Sequence, residues 1–189
     1  MVTLFQKNLD EHADMISKLK SLEGDVIKAE DVITESLAIG GKVMLCGNGG
    51  SAADAQHLAS EFTGRFINDR IPIAALALTT DTSALTCISN DYSYKNIFSR
   101  QLEALGREAD VLIGISTSGN SENVLYAVKR AAKLGIKTIG LLGNNGGLLA
   151  TECDFSIVVP SQVTARIQEA HILIGHTICG AVEQKLGLV

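Results

Sequence analysis

The stretch that decides the fold is Val43-Met44-Leu45-Cys46-Gly47-Asn48-Gly49-Gly50-Ser51, a short apolar run that passes directly into a loop of glycine and small polar residues. A second stretch repeats this arrangement, because the apolar run at residues 111–115 is followed by Ser116-Thr117-Ser118-Gly119-Asn120-Ser121. In an open parallel sheet, such loops leave the carboxyl ends of strands, where ligands bind. Glycine lets the backbone approach a ligand closely, and hydroxyls and helix-start amides suit an anion. The two loops together predict a phosphorylated ligand that is held from both sides.

The rest of the chain alternates short apolar runs with helical stretches. Strands are predicted at residues 42–46, 73–78, 111–115, 138–142 and 155–159. Helices are predicted at residues 51–62, 83–89, 94–104, 121–134, 148–152 and 162–185. This rhythm is typical of βαβ units, so we expect an α/β fold with a doubly wound, five-stranded parallel sheet that is covered by helices.

The residues ahead of the first strand show helical periodicity. One apolar stripe of a first helix consists of Phe5, Leu9, His12, Ile16 and Leu19. Gly24 interrupts the pattern, and a second helix ends at Gly40-Gly41. The stripe either packs on the sheet of its own chain or contacts another subunit. We favour the second interpretation, because the predicted sheet already has enough helices to cover it. The length fits one domain over residues 1–189, with a helical segment at 1–39 and an α/β core at 40–189.

Composition narrows the possible partners. The formal net charge is -5, and no cluster of Lys or Arg stands out, so we expect no nucleic-acid partner. The longest apolar runs are too short to span a bilayer, and the first residues lack the layout of a signal peptide. The four cysteines form no Cys-x-x-Cys pair, and we interpret them as reduced core thiols of a cytoplasmic protein. They are Cys46, Cys87, Cys153 and Cys179.

Each of the two loops also has an alternative interpretation that does not involve a phosphorylated ligand held between them. Residues 47–52 match Gly-x-Gly-x-x-Ala, a variant of the dinucleotide fingerprint, but neither Asp69 nor Asp81 ends the second predicted strand as that fingerprint requires. We therefore expect no nucleotide cofactor. The second loop could be only the N-cap of the following helix. One Ser would suffice for capping, however, and the loop carries four hydroxyls, so phosphate binding is favoured. A third loop at residues 143–147 receives no function.

Two helices carry polar side chains that suit a metal ion. His57 and Glu61 are four residues apart and share a helix face, although such a pair is usually a surface hydrogen bond. Gln168 and His176 share an otherwise apolar face of the last helix, where polar groups need partners. If the helices meet, two nitrogens and two oxygens suit Zn²⁺ without excluding other divalent ions. Two further polar residues of the last helix are interpreted as solvated or structural, namely Glu169 and His171.

Several motifs coincide with those of one known family. They are Cys-Gly-Asn-Gly-Gly-Ser at 46–51, Asp-Ala-Gln-His at 54–57, Glu-Phe-Thr-Gly-Arg at 61–65, Asn-Asp at 90–91, Ser-Thr-Ser-Gly-Asn-Ser at 116–121 and Ala-Arg-Ile-Gln-Glu-Ala-His at 165–171. With these, nearly the whole chain resembles the sugar isomerase (SIS) family, and within it the phosphoheptose isomerase group. The Ser-Thr-Ser loop is common to SIS domains, whereas Glu61 followed by Gln168 and His176 is far more specific.

The resemblance implies an aldose–ketose isomerase that converts sedoheptulose 7-phosphate to D-glycero-D-manno-heptose 7-phosphate through an enediol. This reaction is the first step of activated-heptose biosynthesis for bacterial surface glycans such as lipopolysaccharide. The resemblance also implies a homotetramer with sites between subunits and one zinc ion per subunit.

The resemblance further implies roles for individual residues. The zinc ligands are His57, Glu61, Gln168 and His176. The phosphate contacts are Ser51, Ser116, Thr117, Ser118 and Ser121. Other substrate contacts are Asn48, Gly49, Gly50, Glu61, Arg65, Asn90, Asp91 and Gln168. Because isomerisation needs a base and stabilisation of a developing oxyanion, Glu61 and His176 are the expected catalytic residues.

Two non-catalytic functions are alternatives. Some SIS relatives are binding proteins, such as the replication-initiator-associating protein of bacteria, and others are sugar-phosphate sensors. As the resemblance indicates, the binding proteins lack the Glu and the second His. Because Glu61 and His176 are both present here, we favour an enzyme.

Overall fold

A computed structural model describes residues 1–189 and contains one five-stranded sheet. The strands are β1 Val43–Gly47, β2 Ala75–Ala77, β3 Val111–Ser116, β4 Lys137–Leu142 and β5 Phe155–Val158. All pairings are parallel, and the strand order is β2-β1-β3-β4-β5. The predicted doubly wound parallel sheet is therefore confirmed, although β2 is shorter than predicted. The strand order reverses between β1 and β3, so the loops after these two strands open onto the same crevice.

Eight α-helices surround the sheet, and two short 3₁₀ turns interrupt them. The helices are α1 Leu4–Lys18, α2 Glu23–Ala38, α3 Gly50–Thr63, α4 Thr82–Asp91, α5 Ile97–Leu105, α6 Glu122–Lys133, α7 Leu149–Glu152 and α8 Thr164–Lys185. The 3₁₀ turns are Leu19–Leu22 and Tyr94–Asn96. Gly24 lies in the first turn of α2, so the break predicted at this glycine lies instead at the preceding 3₁₀ turn.

The core lies in two layers, one on each face of the sheet. Because side chains alternate along a strand, Leu45 of β1 faces one layer and Met44 faces the other. The first layer includes buried side chains of α2, α3 and α8, and the second includes those of α5 and α6. This arrangement places α3 and α8 side by side on the same face, where they contact each other.

The N-terminal helices divide between the two predicted roles. Ala29 and Ile33 of α2 are fully buried against the first layer, so α2 covers the sheet of its own chain. The expectation that other helices already cover the sheet was wrong, because this layer needs α2 as well as α3 and α8. In α1 only Met15 is buried, whereas Phe5 and Leu9 are exposed. Contact with another subunit stays a prediction for the first half of α1.

The four cysteines are unpaired, but they are not all in the core. Cys46 and Cys179 are buried, and burial raises the pKa of the Cys179 thiol to about 12. Cys153 is half-buried, and Cys87 is exposed at α4, so its prediction as a core thiol was wrong. No helix combines the length and apolar character that crossing a membrane requires.

Candidate active site

The loop between β1 and α3 is held in a backbone conformation that requires glycine. Gly49 has φ +56° and ψ -120°, which residues with a side chain rarely adopt. A Cβ on Gly50 would lie 2.1 Å from Nε2 of Gln168, so any side chain there would displace the α8 amide. Ser51 follows in the first turn of α3 and is buried. This loop therefore brings bare backbone and one hydroxyl to the crevice between β1 and β3.

The loop between β3 and α6 is organised around the buried hydroxyl of Ser116. Its Oγ accepts the backbone N–H of Gly119 at 3.1 Å and lies 2.9 Å from Oγ of Ser121 and 3.4 Å from Oγ of Ser118. Ser121 is the N-cap residue of α6, yet its side chain makes no capping hydrogen bond. Helix capping thus does not explain the hydroxyls, which cluster at the amino terminus of a helix, where an anion is stabilised.

A pair of asparagine side chains joins the two loops; the sequence indicated a role for Asn48 but none for Asn123. Asn48 donates to Oδ1 of Asn123 at 2.8 Å, and Asn123 donates to Oδ1 of Asn48 at 2.7 Å. The hydroxyl of Tyr94 also donates to Oδ1 of Asn48, at 2.9 Å. Asn123 lies in the first turn of α6, only two residues beyond the Ser-rich loop, but no motif pairs it with Asn48. The pair fixes the spacing of the two loops, which supports a ligand bound between them.

The third loop, which received no function from the sequence, supports the second. Nδ2 of Asn144 donates to the carbonyl of Thr117 at 2.8 Å, and Oδ1 of Asn120 accepts the backbone N–H of Leu148 at 3.0 Å. A Cβ on Gly119 would lie 2.1 Å from the carbonyl oxygen of Gly146. The third loop therefore packs tightly against the Ser-rich loop and helps to hold its conformation.

The structure brings together three of the four side chains predicted to bind a metal. Nε2 of His57 lies 3.0 Å from Oε1 of Glu61 and 3.3 Å from Nε2 of His176. One ligand atom from each residue lies within 4.8 Å of the other two. We call His57, Glu61 and His176 the trio. Two imidazoles and a carboxylate are the donor types of many catalytic zinc sites, so the trio fits a divalent metal.

Gln168 of α8, the fourth predicted metal ligand, lies nearer the beginning of α3 than the trio does. The Gln168 amide packs against Gly50, whereas His57 is seven residues further along α3, a rise of about 10 Å. Since α3 and α8 run side by side in the same direction, Gln168 lies at the level of the first loop and His176 at the level of His57. The metal-ligand role of Gln168 stays a prediction.

The other predicted sugar contacts lie at the surface. Nδ2 of Asn90 donates to Oδ1 of Asp91 at 2.8 Å at the end of α4, and both residues are exposed. Arg65 is exposed just beyond α3, with Nη1 3.5 Å from the carbonyl oxygen of Ile67. Neither Arg65 nor the Asn90–Asp91 pair hydrogen-bonds to the two loops, so their roles stay predictions.

Asp54 is a polar residue of α3 that received no role from the sequence. Its Oδ2 is buried without a hydrogen-bond partner, and burial raises the pKa of the carboxyl, although nearby His57 opposes this effect. It lies one helical turn before His57, so its side chain lies on the trio's side of the helix. The signal in the sequence was the Asp-Ala-Gln-His motif itself, which marks a carboxylate three residues from a histidine.

The two polar residues interpreted as solvated or structural are both structural. His171 is fully buried and donates from Nε2 to the carbonyl of Leu142 at 3.0 Å, and burial lowers its pKa to about 4. Glu169 binds the Arg166 guanidinium and lies 2.7 Å from Nδ1 of His12 on α1. The hydrogen bond from Arg166 lowers the pKa of Glu169, so this carboxylate anchors α1 to α8.

Comparison with known proteins identifies the family to which this fold belongs. Residues 8–143 match the sequence profile of the SIS domain. Phosphoheptose isomerase 1 of Campylobacter jejuni is 52% identical over 97% of this chain and 99% of its own length. Phosphoheptose isomerase of Clostridium acetobutylicum is 58% identical over 82% of this chain and 80% of its own length. The solved structure of phosphoheptose isomerase from Neisseria gonorrhoeae has a TM-score of 0.88 at 45% identity, covering 96% of this chain and all of that one.

The fold and the two loops, which leave the carboxyl ends of β1 and β3, define a sugar isomerase domain. The chain belongs to the SIS domain family, and its relatives over nearly the whole length place it among the aldose–ketose isomerases of that family.

Proposed function

We propose that this isomerase interconverts sedoheptulose 7-phosphate and D-glycero-D-manno-heptose 7-phosphate by proton transfer through an enediol. The observation that carries the proposal is the arrangement along α3. Ser51 lies at its first turn, next to the loop that Asn48 joins to α6, and Glu61 lies in its last turn beside His176. The similarity to phosphoheptose isomerases over nearly the whole chain supports the heptose as substrate.

The phosphate would bind at the amino-terminal end of α3 and α6. The hydroxyls of Ser116, Ser118 and Ser121 lie in one cluster, and α6 begins directly after it. Ser51 and Thr117 complete the proposed phosphate contacts. Helix-start amides and hydroxyls together favour a dianion, and no lysine or arginine is needed to hold it.

The reacting carbons would then lie near the trio. Ser51 and His57 are separated by six residues of α3, a rise of roughly 9 Å. An extended sugar phosphate held at its phosphate thus reaches the trio with its other end. We also propose that the sugar is contacted by Asn48, Gly49, Gly50, Arg65, Asn90, Asp91 and Gln168.

Proton transfer is assigned to Glu61 and His176. Isomerisation removes a proton from one carbon and returns it to the neighbouring carbon, which needs a carboxylate or an imidazole within reach. Glu61 is half-buried on α3, and His176 faces it from α8. The two groups can therefore act on neighbouring atoms of one substrate.

The trio would hold one zinc ion, with Gln168 as the proposed fourth ligand. Facing imidazole nitrogens 3.3 Å apart, with a carboxylate 3.0 Å from one of them, form a compact donor set. When bound, zinc supplies polarisation of the substrate's carbonyl and hydroxyl oxygens. We propose no nucleotide cofactor.

We also propose a cytoplasmic homotetramer that acts in activated-heptose biosynthesis for bacterial surface glycans. Four unpaired cysteines agree with a reducing compartment. The exposed apolar residues of α1, including Leu4, Phe5 and Leu9, agree with burial in a subunit contact. Neither a nucleic acid nor a membrane is a proposed partner.

The decisive experiment incubates the purified protein with sedoheptulose 7-phosphate and follows formation of the aldose. We call the loops at residues 47–51 and 116–121 the phosphate loops. We expect turnover of the phosphorylated sugar and little turnover of free sedoheptulose at the same concentration, because the phosphate loops supply most of the substrate binding. A folded protein that turns over neither sugar would overturn the proposal and favour a non-catalytic binding protein or a sensor.

A further inference from the structure

A buried ion pair next to the trio has no role in the function proposed so far. Arg70 lies in the segment after α3, and its Nε donates to Oε1 of Glu183 on α8 at 2.7 Å. Both side chains are only 2% exposed. Burying two charges is costly unless further hydrogen bonds satisfy them. The partners of the other two guanidinium nitrogens therefore show what the buried charge of Arg70 binds.

The Arg70 guanidinium caps the carboxyl terminus of α3. It donates to the carbonyl of Glu61 at 2.6 Å and to that of Phe62 at 2.8 Å. It also donates to the carbonyls of Gly64 and Ile71, at 3.0 Å each. The last carbonyls of a helix lack partners within the helix and carry its negative end, so a buried cation holds them firmly. No basic residue lies in the last turn of α3 itself.

Glu183 connects the same pair to His176. Its Oε1 also accepts the backbone N–H of Phe66 at 3.2 Å. The ring of Phe66 lies 5.4 Å from the ring of His176, centroid to centroid, and a Cβ on Gly180 would lie 3.3 Å from it. Because His176, Gly180 and Glu183 are spaced by four and three residues, they share one face of α8.

We propose that Arg70 is a positioning residue, which acts through the last turn of α3 and through Glu183 to hold Glu61 and His176 at their working separation. This inference rests on the proposed isomerase function. Glu61 and His176 lie on different helices, and no backbone hydrogen bond can fix their separation. The Arg70–Glu183 pair contacts both helices at the end where the trio lies, whereas the phosphate loops lie at the other end of α3.

The test replaces the guanidinium while keeping its charge. In Arg70→Lys the ammonium still faces Glu183, but it cannot span the carbonyls of Glu61 and Phe62 as the fork of arginine does. We expect kcat to fall about tenfold or more, because small displacements of reacting groups cost large factors in rate. The KM should stay within about threefold, because the phosphate loops, which supply mostly uniform binding, are untouched.

A second variant removes the cap from α3 in a protein that is expected to stay folded. Arg70→Met combined with Glu183→Leu replaces both charges with apolar side chains, and such replacements of buried pairs are often neutral for stability. It removes the cap from α3 all the same, so we expect the same loss of kcat in a folded protein. The matched control is Lys42→Met, which breaks the ion pair with buried Asp110 at the amino-terminal end of the sheet. It should lower the melting temperature without lowering kcat.

Zinc titration by calorimetry gives a readout that does not depend on turnover. We expect zinc to bind Arg70→Lys about tenfold more weakly than wild type, a typical cost of losing a group that orients metal ligands, and to bind Lys42→Met as wild type does. If Arg70→Lys and Lys42→Met lose equal kcat at an equal loss of melting temperature, the positioning role is refuted. A wild type without isomerase activity refutes the proposed function instead, and unchanged zinc affinity in Arg70→Lys then refutes the positioning role as well.

Discussion

Replacing Glu61 with glutamine separates its chemical role from its structural one. The carboxylate is about one-fifth exposed, and its one side-chain hydrogen-bond partner is His57, at 3.0 Å. Glutamine has the same shape and keeps an oxygen that can accept this bond. The stability cost should therefore not exceed about 1 kcal/mol, the net value of one ordinary hydrogen bond.

The effect on catalysis should be much larger. Losing a general acid or base lowers the rate by about 10² or more, which corresponds to about 2.7 kcal/mol of activation free energy. Substrate binding should largely survive in Glu61→Gln, because the phosphate loops lie at the other end of α3. We therefore expect kcat to fall by at least this factor while KM changes little.

The assay follows both aldose formation and deuterium incorporation from solvent at C1 or C2, because incorporation reports proton transfer directly. His176→Gln should show the same loss of both signals. A suitable control is Glu35→Gln, the same chemical change at an exposed position of α2, which should keep full activity. Wild-type turnover with full retention in both site variants would refute the assignment of Glu61 and His176 to proton transfer.

Four further predictions concern the phosphate loop, the metal, the assembly and pH. Ser118→Ala or Ser121→Ala should raise KM more than it lowers kcat, since the phosphate is remote from the reacting carbons; an unchanged KM in both variants would contradict the loop assignment. Elemental analysis of protein purified without added metal should find zinc, and chelation should lower the melting temperature, because a ligand that binds only the folded state stabilises it. Zinc near zero that added Zn²⁺ does not restore would refute the trio as its site. Light scattering should show a tetramer for the full chain and a smaller species after removal of residues 1–20; an unchanged tetramer would exclude only the role of α1. His171, whose pKa is about 4 in the folded protein and 6.5 in its ordinary state, is neutral in the fold, so the unfolded chain binds the proton more readily as pH falls. Stability should therefore decrease from pH 6.5 towards pH 4 by on the order of 3 kcal/mol from this group, and denaturant unfolding of His171→Gln should show a flatter pH dependence than wild type.

Local sequence was sufficient where a short-range rule applies. The alternation of apolar runs and helical stretches predicted all five strands, because the period of the pattern reports burial directly. The pairing of His57 with Glu61 also followed from spacing, since residues four apart on a helix are neighbours. The prediction for Cys87 failed because its neighbours in sequence are apolar, yet this side of α4 faces solvent.

By itself, then, the sequence determined the class of fold, the positions of the two polar loops and the separate halves of the candidate metal site. Only the tertiary structure decided that His176 meets His57 across 119 residues of chain, that Asn123 pairs with Asn48, and that Arg70 reaches Glu183. The reason is physical: strand and helix periodicities are set by neighbouring residues, whereas contacts between helices depend on how two layers of side chains pack on a sheet. No spacing rule connects residues that are brought together only by that packing.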